Sequence, residues 1–210
     1  MFNVRTVETN FPIKDDAVIL RLICESDADF YVSIRAQYSM MYRWLIRKKN
    51  SSNVQLFRGD LCRSESFFCV IENASACVPI GYLGIKDTGA DLWEIAVELD
   101  KKYTHLGFGS RSIRLFLNEL QRITGKNEFR AIIDSDNIAS QKCVEKLGAK
   151  LVGLCNGQIL KLPEEKERFE EQNLHLIDAH MISLSKRLGA EPRKLLSHAL
   201  DYRLTCPLYP

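Results

Sequence analysis

No stretch of this chain approaches the roughly 20 consecutive apolar residues needed to cross a bilayer. Its opening MFNVRTVETN lacks the basic-then-apolar pattern of a secretory leader. No membrane association is therefore expected, and the expected location is cytoplasmic. An excess of one charge is missing too: 29 Lys and Arg stand against 27 Asp and Glu, a formal net charge of +2. That balance argues against nucleic acid as a partner. The seven cysteines, Cys24, Cys62, Cys69, Cys77, Cys143, Cys155 and Cys206, are odd in number and form no C-x-x-C pair. They read as reduced, packed residues, neither a disulfide framework nor a zinc site. His175 and His180 are five apart and share no helix face, so no metal is expected. Internal repeats and low-complexity tracts are also absent.

What is present is an ordinary globular composition, 46% hydrophobic and 27% charged over 210 residues. A domain of that length buries roughly 70% of its unfolded surface and needs no staple. The run AVILRLIC (Ala17 to Cys24) reads as a buried strand, and the acidic ESDAD after it as the start of a helix. A second helix is expected over part of Ser39 to Lys48, followed by a basic loop, RKKNSSN. Three strands come next: Phe67 to Glu72, Val78 to Lys86 and Leu92 to Leu99, the last two joined by the hairpin turn DTGAD. In LWEIAVEL, Trp93, Ile95, Val97 and Leu99 fall on one face and Glu94, Ala96 and Glu98 on the other. That acidic face is the first place to look for chemistry.

GFGSRSIRLFLNELQR then reads as a helix with Ile113, Phe116, Leu117 and Leu120 inward, and EFRAIID as a strand. NIASQKCVEKLG is a helix stopped by Gly148, and AKLVGLC is another strand. Beyond Pro163 the expectation is one amphipathic helix to Leu188, of about 26 residues and about 39 Å. A short helix from Pro192 and a final strand in DYRLTC complete the order. The fold class is α/β (α+β), an antiparallel meander feeding a βαβ unit.

The strongest local feature is the glycine-punctuated segment Thr104, His105, Leu106, Gly107, Phe108, Gly109, Ser110, between a strand and a helix. Glycines let the backbone approach a ligand, and free amides at a helix N-terminus bind phosphate oxygens, so a diphosphate is the ligand class. A dinucleotide fold would carry its glycines directly after the strand and a third where Ser112 stands; a triphosphate loop would need G-K-[ST] where Gly109, Ser110 and Arg111 stand.

THLGFG resembles the Q/R-x-x-G-x-G/A signature of the GNAT (Gcn5-related) N-acetyltransferases, with Thr104 where Gln or Arg is usual. Asn137-IASQKCVEKLGA resembles a second signature, an Asn followed by a helix ending in K-L-G-F, with Ala149 at the aromatic position. With the element order from Val18 to Gly153, the resemblance covers about two thirds of the chain. The pairing of WEIAVEL with N-x-x-S is most similar to the branch of ribosomal-protein N-terminal acetyltransferases. The resemblance implies a mixed central sheet with a V-shaped splay between the family's fourth and fifth strands, and a single domain over 1–210. Within it, residues 18–153 form the core, about 157–200 a helical insertion and about 201–206 the closing strand. It also implies acetyl-CoA as donor and a primary amine as acceptor. The backbone of Val97 and Leu99 would meet the pantetheine arm, and the amides from Leu106 to Ser110 the pyrophosphate. Lys101, Lys102 and Arg111 meet the remaining phosphate charge or form a solvated basic loop.

An amine must be neutral to attack a thioester, so a carboxylate is needed to accept its proton. Glu94 is the candidate base, against the alternative of a rim glutamate paired with a surface base; Glu98 is the second candidate. An amide near Val97 would hold the oxyanion. Val144 occupies the position where relatives place a Tyr acid. Ser140 is the candidate hydrogen-bond donor to the departing sulfur, or a plain helix-surface serine, and Asn137 a cofactor contact or a helix cap. His105 faces cofactor or solvent, and Cys143 reads as a core residue. A catalytically silent acyl-CoA-binding module is the rival function. The apolar face of the helix after Pro163 is expected to pack on its own domain, with a homodimer built on that helix as the alternative to a monomer.

Overall fold

The computed structural model describes residues 9–38, 43, 46, 52–61, 65–156 and 162–209. Most of the helix expected over Ser39 to Lys48, the basic loop RKKNSSN up to Ser51, and the start of the insertion at 157–161 lie outside the described residues. The chain divides into two compact units, Met1–Phe129 with Cys206–Pro210, and Arg130–Thr205.

The first unit is an antiparallel meander. Strands β1 (Ile13–Lys14), β2 (Val18–Leu22), β3 (Phe67–Asn73), β4 (Val78–Ile85) and β5 (Trp93–Leu99) pair in that order. Helices α1 (Ala28–Tyr38) and α2 (Asn53–Leu61) lie between β2 and β3 in the chain, and α3 (Phe108–Thr124) follows β5. The strand β3 shows why the sheet sits at the centre: Phe67, Phe68, Cys69, Val70 and Ile71 are all buried, as a strand covered on both faces must be. On one face Phe68 and Tyr82 join Tyr31, Ile34, Phe57 and Leu61 of α1 and α2 in an apolar cluster. On the other, Phe67 stacks on Phe116 of α3 with ring centroids 5.9 Å apart, and Phe11 meets both edge-on.

The helix α2 escaped the sequence reading, although its start carries a reciprocal cap: the Gln55 amide donates to Ser52 Oγ and the Ser52 amide to Gln55 Oε1. The C-terminal tail is tied to α3 by Asn118, whose amide group donates to the Leu208 carbonyl and accepts from the Leu208 N–H.

The second unit contains most of β6 (Glu128–Asp134), then α4 (Ile138–Lys146), β7 (Lys150–Asn156), α5 (Pro163–Gln172), α6 (Ala179–Leu188) and β8 (His198–Thr205). Its strand order is β6-β8-β7. The expected continuous helix from Pro163 to Leu188 is corrected: α5 ends at Gln172, a 3-10 turn covers Leu174–Leu176, and α6 starts afresh. Asn173 leaves the helix at φ −121° with its side chain donating to the Phe169 carbonyl, and Asp178 caps α6 by accepting from the Met181 amide. Both are residues whose side chains offer the backbone an alternative to helix. The apolar face expected along that helix is broken with it, Leu184 being buried while Phe169, Leu176 and Ile182 are exposed.

Glu170, fully buried, organises this unit. It accepts from Ser197 Oγ at 2.5 Å and Lys194 Nζ at 3.0 Å, with Arg193 at 3.8 Å. Burial alone would raise its pKa, but these bonds and charges prevail and hold it below the ordinary glutamate value.

Two outcomes are expected. At Gly84 a Cβ would sit 2.3 Å from the Phe67 carbonyl oxygen and 2.4 Å from the Phe68 ring, so Gly84→Ala should cost about 1–3 kcal/mol in urea unfolding. Glu170, with its folded pKa depressed, contributes stability above the ordinary glutamate pKa that is lost as pH falls through the folded value. Stability measured between pH 6 and pH 3 should therefore fall less steeply in Glu170→Gln than in the native chain.

Candidate active site

The register of β4 on β5 builds the acidic face. Tyr82 pairs with Glu98, Gly84 with Ala96 and Ile85 with Ile95, and the Lys86 amide donates to the Glu94 carbonyl at 3.1 Å. Alternation then separates the two sides of β5: Trp93 and Ile95 are buried, while Glu94 and Glu98 stand on the face with Tyr82 and Lys86. The half-buried Ala96 between them packs on the α1–α2 cluster.

The two carboxylates have different partners. Glu94 Oε1 accepts from Lys86 Nζ. Glu98 Oε1 accepts from Arg35 Nη1 of α1, beside the buried phenol of Tyr82. Burial and the Glu98 charge push the Tyr82 phenol well above its ordinary pKa, Arg35 opposing them. Desolvation works against the charge on Arg35, but the Glu98 carboxylate more than offsets it, and the guanidinium stays ionised with its pKa above the ordinary arginine value. Both glutamates are ion-paired: Glu98 with the guanidinium from α1, and Glu94 with Lys86, the surface-base pairing of the rim-glutamate alternative.

At the C-terminal end of β5 the backbone turns into the glycine-bearing loop. Tyr38 Oη donates to the Leu99 carbonyl at 2.8 Å, and Gln37 Oε1 accepts from the Lys101 amide at 2.9 Å, so the last turn of α1 is clipped to this junction. Val97 and Leu99 are half-buried on the strand. Thr104 spends its hydroxyl on the Lys101 carbonyl at 2.7 Å. His105 is exposed at φ +62°, and Gly107 has φ +86°. Gly107 is the residue before α3, and no side chain caps the helix. Ser110 turns its hydroxyl onto the Gly107 carbonyl at 3.1 Å. The first turn of α3 therefore presents the amides of Phe108, Gly109 and Ser110 without a side-chain cap, next to Leu106 and Gly107, which is the arrangement that receives an anionic oxygen. Arg111, a candidate for phosphate charge, is instead committed to Asp15 at 2.6 Å and to Asp16. Lys101 lies over the Tyr38 ring, and Lys102 over the Tyr103 ring with Asp100 3.4 Å away.

Asn137 and Ser140 belong to the second unit. Asn137 Oδ1 accepts from the Ser140 amide at 3.1 Å and is the N-cap of α4, so the cap reading of Asn137 is the one the geometry carries. Ser140 is half-buried. Val144 and Leu147 face the core of α4 while Cys143 is only half-buried, and burial pushes its thiol up to about 11, away from nucleophile chemistry.

Arg35, Tyr38, Tyr82 and Lys86 escaped the sequence reading. The signal for the first two was there, since Tyr31, Arg35 and Tyr38 fall at helical i, i+4, i+7 spacing on α1. Lys86 could have been found by running the hairpin register back across DTGAD.

Residues 17–150 match the family description "Acetyltransferase (GNAT) domain". No curated protein matches the chain by sequence. Among solved structures, RimL, a ribosomal alpha-N-protein acetyltransferase in complex with coenzyme A, is similar with a TM-score of 0.63 and 14% identity, over 93% of this chain and 98% of that one. RimJ from Mycobacterium smegmatis, in complex with CoA-disulfide, gives 0.58 and 15% over 90% and 82%. A spermidine N-acetyltransferase variant from Vibrio cholerae gives 0.59 and 11% over 91% and 95%.

The Arg35–Glu98 pair sets a stability expectation. Arg35→Met should destabilise the chain by about 1–3 kcal/mol, since it leaves Glu98 partly buried without its cation. In a double-mutant cycle with Glu98→Gln, followed by thermal unfolding, the second substitution should cost markedly less in the Arg35→Met background.

Proposed function

The chain belongs to the acetyltransferase (GNAT) domain family, and from that premise we propose how its residues carry out acyl-CoA-dependent N-acetyl transfer to a primary amine. The whole of 1–210 works as one acetyltransferase domain in the cytoplasm, and the acceptor is a protein N-terminus or a small polyamine. The reading rests above all on one observation: α3 opens after β5 on the left-handed Gly107, with no side-chain cap on its first amides.

Acetyl-CoA supplies the acyl group as a thioester. The residues fit it: the amides of Leu106, Gly107, Phe108, Gly109 and Ser110 hold the pyrophosphate, with Thr104 and His105 shaping the approach, and the backbone of Val97 and Leu99 meets the pantetheine arm. Leu99 keeps a second carbonyl lone pair beyond the one that takes the Tyr38 hydroxyl.

Glu94 accepts the proton that the acceptor ammonium must shed, directly or through one water. A free α-amine has a pKa of about 8 and a lysine-like amine about 10.4, so the base works on a group that is largely protonated at neutral pH. The Val97 amide offers a fixed donor to the developing oxyanion. Ser140 donates its hydroxyl to the departing sulfur, while Asn137 positions it by capping α4. A thiolate is a fair leaving group, so the Val at position 144, where relatives place a Tyr acid, is tolerated.

Two acceptor classes follow from the similar structures, one acting on ribosomal proteins and one on spermidine. CoA release should be measured with a peptide bearing a free N-terminal serine and with spermidine. Turnover with either is expected, with Glu94→Gln lowering kcat by about 10²- to 10⁴-fold and Ser140→Ala by less. Calorimetric binding of acetyl-CoA with no turnover, and no effect of Glu94→Gln, would establish the silent acyl-CoA-binding module instead.

A further inference from the structure

The group read as the base already holds a primary ammonium. Lys86 Nζ is bonded to Glu94 Oε1, and no other ion pair to Glu94 is present among the described residues. The pair is set by the sheet, because Lys86 and Glu94 stand opposite each other one step beyond the Ile85–Ile95 pair. It is also partly exposed, with 36% of the Lys86 side chain and 18% of the Glu94 side chain open to solvent.

The same strand offers an internal contrast. Two pleats further on, Glu98 is held by a guanidinium from α1 next to a buried phenol. Arginine is planar and always charged and suits a fixed contact, whereas a lysine ammonium is a compact charge on a flexible stem that moves off readily. The strand thus carries one carboxylate paired with a guanidinium and one paired with a lysine ammonium, both pairs partly exposed. The lysine cation has the chemistry of the acceptor: a primary alkylammonium.

We propose that Lys86 is a resident stand-in for the acceptor ammonium, which occupies the Glu94 carboxylate while no acceptor is bound and is displaced from it when a cationic amine arrives. Lys86 is a positioning residue that acts through Glu94, and the proposal rests on the reading of Glu94 as base. It gives the site a charge filter. An acceptor that arrives as a cation replaces the lost ion pair with its own, whereas an uncharged molecule would leave Glu94 with Lys86. It also costs acceptor affinity, because each binding event breaks an existing pair.

That cost is the measurable quantity. A partly exposed ion pair is worth little, so its removal should change acceptor KM by a few-fold. With whichever of the N-terminal-serine peptide and spermidine turns over faster, Lys86→Met should lower the acceptor KM about two- to fivefold and leave the KM for acetyl-CoA unchanged. Lys86→Gln, a second neutral variant, should do the same. Lys86→Arg, which keeps a cation on Glu94, should return the acceptor KM to the native value or raise it. A merely structural lysine would instead move both KM values together or neither. An acceptor KM unchanged or raised in both neutral variants, with Glu94→Gln still inactivating, overturns the proposal alone. Full activity in Glu94→Gln, or no turnover with either amine, overturns the reading of the base and the proposal with it.

Discussion

Everything at the candidate site hangs on the register of β4 against β5. Because side chains alternate strictly along a strand, a shift of one residue would send Glu94 and Glu98 to the face of Trp93 and Ile95 and bury them among apolar side chains. Gly81 helps to pin that register, since its missing Cβ leaves room for the Glu98 carbonyl and for Leu99 on β5. With the register in place, Lys86 comes opposite Glu94, and Tyr82 opposite Glu98.

From that pairing the rest of the first unit follows. The face carrying the carboxylates is covered by α1 and α2, whose apolar residues close over Phe68, Tyr82 and Ala96, and α1 delivers Arg35 to Glu98 and Tyr38 to the Leu99 carbonyl. The other face takes α3 through the stack of Phe67 on Phe116. One strand thereby connects three things: a carboxylate paired with Lys86, an ion pair to Arg35 of the covering helix, and a loop that hands its chain to an uncapped helix start. The conformational cost sits in that loop, where His105 and Gly107 both have positive φ; glycine adopts this freely and histidine less so.

What was legible in the sequence was legible because it is local. The alternation of WEIAVEL, the helical spacing of Ile113, Phe116, Leu117 and Leu120, the cap at Asn137 and the stop at Gly148 all depend on neighbours within a few residues. All four hold in the fold. The helix read from Pro163 to Leu188 failed for a reason also local but easily overridden: amphipathic spacing continues through Asn173 and Asp178, while their side chains pull the backbone out of the helix. The helix α2 was missed because it is only nine residues long, although its Ser52–Gln55 cap and the helical spacing of Val54, Phe57 and Leu61 both mark it.

The sequence by itself determined the element order, the acidic face of β5, the glycine loop and the family resemblance, since each is written in contiguous residues. Only the tertiary structure decided which charge meets which. Arg111 lies near the start of α3, yet it turns to Asp15 and Asp16, some 95 residues earlier in the chain. Arg35 finds Glu98 across 63 residues, and Glu170 gathers Lys194 and Ser197 from beyond a second helix. The physical reason is that ion pairing depends on distance in space and on desolvation, and neither is encoded in spacing along the chain. The same two carboxylates that look equivalent in WEIAVEL therefore have different partners, one a guanidinium from α1 and the other the Lys86 ammonium.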